Sequence, residues 1–252
     1  MTKVIISGCC GHMGRVIADL CEKDKDIRVA AGVDRAAVKY SDFPVYDSFG
    51  MLSESADVLI DFSSPAALTP LLDFCLRNSM PAVICTTGHS ESQLSAISEA
   101  ANRIPVFKSG NMSLGINLLI DLIKRSAAFL GEDFDIEIVE KHHNRKVDAP
   151  SGTALMLADA ADAGLERRCP RVYERHSLST PRDKGTIGLS SVRAGTIPGE
   201  HTVIFAGNDE VIELKHSVFS RDIFAAGAIR AAKFLALQKE AGMYDMGDIF
   251  LY

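Results

Sequence analysis

No apolar run in this sequence approaches the roughly 20 residues that a bilayer-spanning helix needs, so a membrane partner is not expected. Nor does the chain open on a charged segment, an apolar core and a small-residue cleavage site; its first residues run straight into an apolar strand, which predicts an unexported protein. The six cysteines share no recurring spacing and contain no paired C-x-x-C, which argues against a disulfide framework and a zinc site and points to the reducing cytoplasm. An excess of positive charge is also lacking. With a formal net charge of −6, neither nucleic acid nor an acidic membrane is an expected partner, and an anionic ligand has to be met by local basic groups. Internal repeats, low-complexity tracts and long linkers are missing as well. What remains is a 252-residue chain, long enough for one large domain or two modest ones.

The first half alternates short apolar runs with helical patterns. Val4–Ile6, Ile27–Val33, Val58–Ile60, Ala82–Cys85 and Pro105–Phe107 read as buried strands. Met13–Cys21, a segment opened near Pro65, and a segment whose Ser90 and Gln93 fit a capping box read as the helices between them. This alternation predicts an α/β fold built on a doubly wound parallel sheet. After about Asn111 the pattern changes. Leu114–Leu130 reads as one long, mostly buried helix, and Thr186–Ala194, His201–Ala206 and Val211–Ser217 read as neighbouring strands, the last two joined by Gly207-Asn208-Asp209. A second α+β domain with a mixed sheet is therefore expected over residues 114–218. Residues 1–113 would form the dinucleotide-binding domain, with 219–252 packing back on it through an alanine-rich helix at Ile223–Leu237. The charged stretch Glu166–Asp183 reads as loop.

Gly8-Cys9-Cys10-Gly11-His12-Met13-Gly14 joins the first strand to the first helix, where a Rossmann unit holds a pyrophosphate. Its G-x-x-G-x-x-G spacing departs from the common G-x-G-x-x-G, but Asp34 stands twenty residues after Gly14 at the end of the second strand, where an acid accepts from ribose hydroxyls. Arg35 beside it would neutralise a 2′-phosphate, so the pair predicts tolerance of both NADH and NADPH. Cys85-Thr86-Thr87-Gly88 and Ser109-Gly110-Asn111-Met112 end later strands of the same half and are candidates for lining the nicotinamide.

Glu140–Ala154, reading EKHHNRKVDAPSGTA, carries two histidines, two lysines and an arginine in front of a Pro-Ser-Gly-Thr helix start. The preceding run alternates Ile136 and Ile138 with acids, as a half-buried strand does, so His142–Lys146 begin where the strand ends. The helix beyond runs to a stop at Gly164. Its start leaves N–H groups unpaired at the positive end, where a carboxylate can dock between Ser151 and Thr153, and Gly152 lets it approach the backbone. Adjacent histidines on extended chain face opposite ways, which argues against a metal there. Glu140 and Lys141 read as the end of the strand, Asp148 as a partner of Lys146 or a helix cap, and Arg145 as solvated. His12, His89, His176, His201 and His216 read as surface or core residues.

Several of these motifs together resemble the 4-hydroxy-tetrahydrodipicolinate reductase (dihydrodipicolinate reductase) family: G-x-x-G-x-M-G, the acid-Arg pair, Thr86-Thr87-Gly88, Asn111-Met112-Ser113, V-R-A-G at Val192–Gly195, Gly242–Met246 and above all E-x-H-H-x-x-K-x-D-x-P-S-G-T-A. The resemblance spans nearly the whole chain. It implies reduction of a cyclic imine dicarboxylate by NADPH or NADH in the diaminopimelate route to lysine, by a homotetramer. It also implies that Gly8, Cys9, Cys10, Gly11, His12, Met13, Asp34, Arg35, Cys85, Thr86, Thr87, Ser109, Gly110, Asn111 and Met112 contact the cofactor. His142 would donate the proton, with Lys146 a second acid candidate, and His143, Lys146, Gly152 and Thr153 would hold the carboxylates. The family usually has Gly at Cys85 and Phe at His89 and Met112. Another nicotinamide-dependent imine or carbonyl reductase and a non-catalytic NAD(P)-sensing protein are the alternatives; the intact His-His-x-x-Lys segment argues against the sensor, which has no use for a proton donor beside an anion site.

Overall fold

The computed structural model describes residues 1–177 and 179–250. Leu178, inside the stretch read as loop, and Leu251 and Tyr252, at the end of the segment expected to pack back, lie outside the described residues. The chain divides into two compact units, one of residues 1–113 with 222 onward and one of Leu114–Arg221.

The first unit strings together β1 (Thr2–Ser7), α1 (His12–Glu22), β2 (Ile27–Val33), β3 (Val45–Tyr46), β4 (Val58–Asp61), α2 (Leu68–Arg77), β5 (Ala82–Ile84), α3 (Glu91–Ala101) and β6 (Pro105–Lys108). The later chain adds α6 (Asp222–Leu235), β12 (Gly242–Tyr244) and α7 (Met246–Phe250). Seven strands pair in the order β12-β6-β5-β4-β1-β2-β3, all parallel. Strand periodicity explains the two layers that cover the sheet. Val4 and Ile6 of β1 point to one face, where Ile17 of α1 and Ala228, Ala231 and Leu235 of α6 bury them; Ile5 points to the other, against Leu71 of α2 and Ile97 of α3. The α3 start is fastened by the Ser90–Gln93 capping box, and Pro65 opens a short 3-10 turn that leads into α2. The two-residue β3 and the three-residue β12 at the sheet edges are too short to show a period in sequence.

The second unit contains α4 (Leu114–Leu130), β7 (Asp135–His142), α5 (Gly152–Leu165), β8 (Arg171–Val172), β9 (Ile187–Arg193), β10 (Gly199–Ala206) and β11 (Val211–Val218). Its sheet is mixed, in the order β11-β10-β7-β9-β8, with β10 antiparallel to both β7 and β11 and with β9 parallel to β7 and β8. Ile116, Leu119 and Ile123 of α4 and Leu157 and Ala161 of α5 cover Ile136, Ile138, Val203 and Phe205 on one face of this sheet.

Three expectations need correction here. α4 is not mostly buried: Leu114, Leu118 and Leu122 lie exposed along one stripe, and Phe129 is 89% exposed, because only the Ile116, Leu119, Ile123 and Ala127 stripe meets the sheet and α5. Gly164 does not stop α5, which continues to Leu165 and ends with Glu166 in left-handed backbone at φ 53°. Gly164 is instead the close-approach point of two helices, since a Cβ there would lie 2.2 Å from the Lys124 carbonyl oxygen of α4. The stretch read as loop holds β8, whose Arg171 meets Asp162 at 2.6 Å and Asp159 at 2.9 Å, two acids spaced i, i+3 on α5.

Candidate active site

In the first unit the chain crosses from β1 to α1 through a turn that only glycine can form. Gly8 has φ +80°, and a Cβ on it would meet the Phe62 carbonyl oxygen at 2.4 Å; a Cβ on Gly14 would meet the Gly8 oxygen at 2.2 Å. Asp34 at the end of β2 accepts from the Cys10 N–H at 3.0 Å and from the Ala36 N–H at 3.0 Å, which ties the acid to the turn. Beside them lies a cavity of about 420 Å³ whose lining includes Gly8, Gly11, Asp34, Arg35, Phe62 and Ser63. A glycine cradle, an acid at the strand end and a cavity between them fit a dinucleotide's pyrophosphate and ribose.

The other expected cofactor residues fall into three groups by burial. Gly11, His12, Arg35, Thr87 and Gly110 are exposed, and Cys10, Met13, Ser109 and Asn111 are half-buried. Cys9, Cys85, Thr86 and Met112 are buried, so among these Cys9, Cys85 and Met112 place their side chains in the core. Burial, with help from neighbouring Cys10 and Asp34, pushes the Cys9 thiol up to about 12, which keeps it protonated and unreactive. Thr86 Oγ1 accepts from the Ser63 N–H at 3.0 Å and joins the ends of β4 and β5. Ser109 Oγ donates to the Asn111 carbonyl at 2.9 Å and shapes the turn after β6.

In the second unit the centre of the site is Glu140. β7 buries alternate residues, so Ile136, Ile138, Glu140 and His142 share the inward face, and Glu140 is 0% exposed. Its carboxylate is fully engaged. Arg193 donates to it through Nη2 and Nη1, at 2.7 and 2.8 Å, His142 Nδ1 lies 2.5 Å from Oε2, and the Ser151 N–H reaches Oε1 at 3.2 Å. Burial alone would raise this acid; the hydrogen bonds from Arg193, Ser191 and His142 overcome it and bring its pKa down to about 2. The two histidines differ in burial and in partners. His142 is 9% exposed with Nδ1 held by Glu140, and its other nitrogen is left clear by Gly199, where a Cβ would lie 3.2 Å from Nε2. His143 is half-buried, and desolvation followed by the charges of Arg145 and Arg221 holds its ring below the ordinary histidine value.

Around this centre the loop is braced by β9. Arg193 also donates to the Asp148 carbonyl at 2.6 Å, and Gly195, at φ +48°, accepts from the Asn144 N–H at 3.1 Å. The V-R-A-G run thus supplies the clamp for Glu140 and a fastening for the loop. Lys146 pairs with Asp148 at 2.9 Å. Ser151 is the N-cap of α5, its Oγ accepting from the Ala154 N–H at 3.2 Å; Gly152 is exposed and Thr153 half-buried in the first turn. A buried imidazole and a helix start meet through one carboxylate, and Arg193 ties the cationic loop to the same carboxylate. Such an arrangement can hold an anion and deliver a proton beside it.

Comparison with known proteins places the chain in a family. The family model described as dihydrodipicolinate reductase, N-terminus, matches residues 2–112, and that described as dihydrodipicolinate reductase, C-terminus, matches residues 115–250. A 4-hydroxy-tetrahydrodipicolinate reductase of Caldanaerobacter subterraneus subsp. tengcongensis is 50% identical over 249 residues, covering 99% of this chain and 98% of that protein. The chain belongs to the dihydrodipicolinate reductase family. Another family member, the 4-hydroxy-tetrahydrodipicolinate reductase of Clostridium tetani, is 46% identical over 98% of this chain and 96% of its own. Among solved structures, the dipicolinate-bound dihydrodipicolinate reductase from Paenisporosarcina sp. TG-14 has the same fold, with a TM-score of 0.80 at 24% identity over 97% of each chain.

Within this family member, three residues of the second unit were passed over in the sequence reading. Glu140 does more than end its strand, and the signal was available: continuing the Ile136, Ile138 alternation by one step puts Glu140 on the buried face, where an acid needs a partner. Arg193 supplies that partner from β9, and no local pattern announces a pairing 53 residues away. His201 follows the same rule as Glu140, since it shares the inward face of β10 with Val203 and Phe205.

Proposed function

We propose that this protein reduces 4-hydroxy-tetrahydrodipicolinate, by way of its dehydrated cyclic imine, to tetrahydrodipicolinate in the diaminopimelate route of lysine biosynthesis. The observation that carries the reading is the double duty of Glu140, which holds the ring of His142 with one oxygen and the N-cap of α5 with the other. That tie sets a proton donor beside a carboxylate-binding helix start, and a cyclic imine dicarboxylate needs both.

Glu140 holds the His142 ring through Nδ1, so Nε2 is the atom that hands over a proton. Gly199 keeps side-chain atoms off that nitrogen. His143 and Lys146 supply cationic or N–H contacts to one carboxylate, while Ser151, Gly152 and Thr153 take the other at the positive end of α5. Lys146 also serves as a second acid candidate. When bound, NADPH or NADH supplies the hydride. Its pyrophosphate would be held by the Gly8–Met13 turn and its ribose by Asp34, with Arg35 beside a 2′-phosphate and Cys85–Thr87 and Ser109–Met112 toward the nicotinamide. The first unit is thus the dinucleotide-binding part, and the second binds substrate and carries the contacts of a cytoplasmic homotetramer.

The test is to feed the purified protein the condensation product of pyruvate and aspartate semialdehyde, following NADPH and NADH oxidation in separate assays. Oxidation that depends on this substrate, and exceeds that with a panel of other imines and carbonyls, supports the reading. A preference for another member of the panel, or no oxidation of either nucleotide, refutes it.

A further inference from the structure

His201 stands on β10 next to the centre just described, 3% exposed, with its ring edge-on to His142 at 5.1 Å between centroids. Its Nε2 lies 3.1 Å from Ser151 Oγ, whereas its Nδ1 is buried and has no hydrogen-bond partner among the described residues. Two neutral tautomers are open to the ring, and they differ sharply in what they leave unpaired. A proton on Nδ1 would be a buried N–H with nothing to receive it; a proton on Nε2 leaves only an unused lone pair, the cheaper fault in a protein interior. The charged ring, with both nitrogens protonated, is disfavoured by burial and by His142, which pull the His201 pKa down to about 4. Near neutral pH the ring is therefore a donor at Nε2.

That assignment decides the state of Ser151. A serine hydroxyl has two acceptor positions and one proton. The Ala154 N–H fills one acceptor position and the His201 Nε2–H fills the other. The O–H is then left as a donor for a guest at the α5 helix start.

We propose that His201 is a positioning residue for the substrate carboxylate: by donating to Ser151 Oγ it turns that hydroxyl into a fixed hydrogen-bond donor at the start of α5. The inference rests on the reading that a dicarboxylate docks there. It also accounts for a buried histidine within ring contact of the proton donor that performs no proton transfer of its own.

The test is a double-mutant cycle in the full-length enzyme with His201→Leu, Ser151→Ala and both together, with His201→Gln added because its amide keeps an N–H donor near the Nε2 position. Substrate KM, the Kd of dipicolinate as a planar dicarboxylate probe, and the NADH Kd are measured for each. On losing one hydrogen bond to a charged group, His201→Leu is expected to raise KM and dipicolinate Kd on the order of 10-fold with NADH Kd unchanged. The double variant should match Ser151→Ala alone, and His201→Gln should recover most of the loss. Additive effects of the two changes, or wild-type KM in His201→Leu, overturn the proposal. Nitrogen-15 NMR of wild-type protein gives a readout that no variant can spoil: a His201 proton on Nε2 at pH 7 supports the proposal and one on Nδ1 refutes it. If the wild-type enzyme binds no dipicolinate and oxidises no nucleotide with the substrate, the docking reading itself has failed, and the tautomer still reports separately on the His201–Ser151 bond.

Discussion

Replacing Glu140 by glutamine keeps the shape of the buried side chain and removes its charge, so its consequences follow from the lost charge and the hydrogen bonds that charge supports. In the folded protein the carboxyl titrates at about 2 against an ordinary value of 4.5. Because the folded value is depressed, the group adds stability that is complete above about pH 4.5 and is lost as pH falls through about 2. A depression of that size corresponds to about 3 kcal/mol. That agrees with the roughly 3–5 kcal/mol expected when one partner of a buried ion pair is removed, which here leaves Arg193 against a neutral amide. Glu140→Gln should therefore be about 3 kcal/mol less stable than wild type at pH 7, with the gap narrowing as pH falls from about 4.5 toward 2. Denaturant unfolding followed by far-UV circular dichroism at pH 7, 5, 4 and 3 reads both effects. Catalysis should suffer separately, because the His142 ring loses the carboxylate that holds its Nδ1; kcat is expected to fall on the order of 100-fold or more while NADH Kd stays at the wild-type value. A stability difference below about 1 kcal/mol, or one that does not change with pH, would refute the assigned electrostatics. Wild-type turnover would refute the role toward His142.

The remaining predictions concern single side chains. His142→Gln should leave cofactor affinity at wild type and lower kcat on the order of 100-fold, the usual scale for a lost general acid, and unchanged steady-state turnover would remove His142 from the mechanism. Arg35→Ala should raise the NADPH Kd and leave the NADH Kd alone in fluorescence titrations; equal effects on both would show that Arg35 does not read the 2′-phosphate. Gly164→Ala should destabilise the protein by about 1–3 kcal/mol in thermal or denaturant unfolding, since the new methyl would sit 2.2 Å from the Lys124 oxygen and α4 and α5 would have to separate. Wild-type stability in that variant would mean the two helices yield without strain.

How much of this was legible beforehand depended on the range of the interactions. Strands and helices of the first unit could be read because apolar runs and cap chemistry are written within a few residues: Ile27–Val33 is a short, mostly apolar run, and Ser90 with Gln93 closes a capping box inside one turn. The Gly8–Gly14 turn and the Asp34–Arg35 pair were visible by spacing for the same reason. The stop wrongly read at Gly164 shows the limit of local signals. Glycine there answers the approach of α4 across the unit, which no window around α5 contains.

The sequence by itself determined the fold class, the family and the segment from Glu140 to Ala154 as the place where cationic groups meet a helix start. Only the tertiary structure decided which of those groups is braced and by what. Arg193 reaches Glu140 across the β7–β9 pairing from 53 residues away and His201 reaches Ser151 from β10, 50 residues away, and these partners come together only when the mixed sheet forms. A buried charge or imidazole is tolerable only with its partner in place, and that partner is supplied by packing rather than by neighbouring residues.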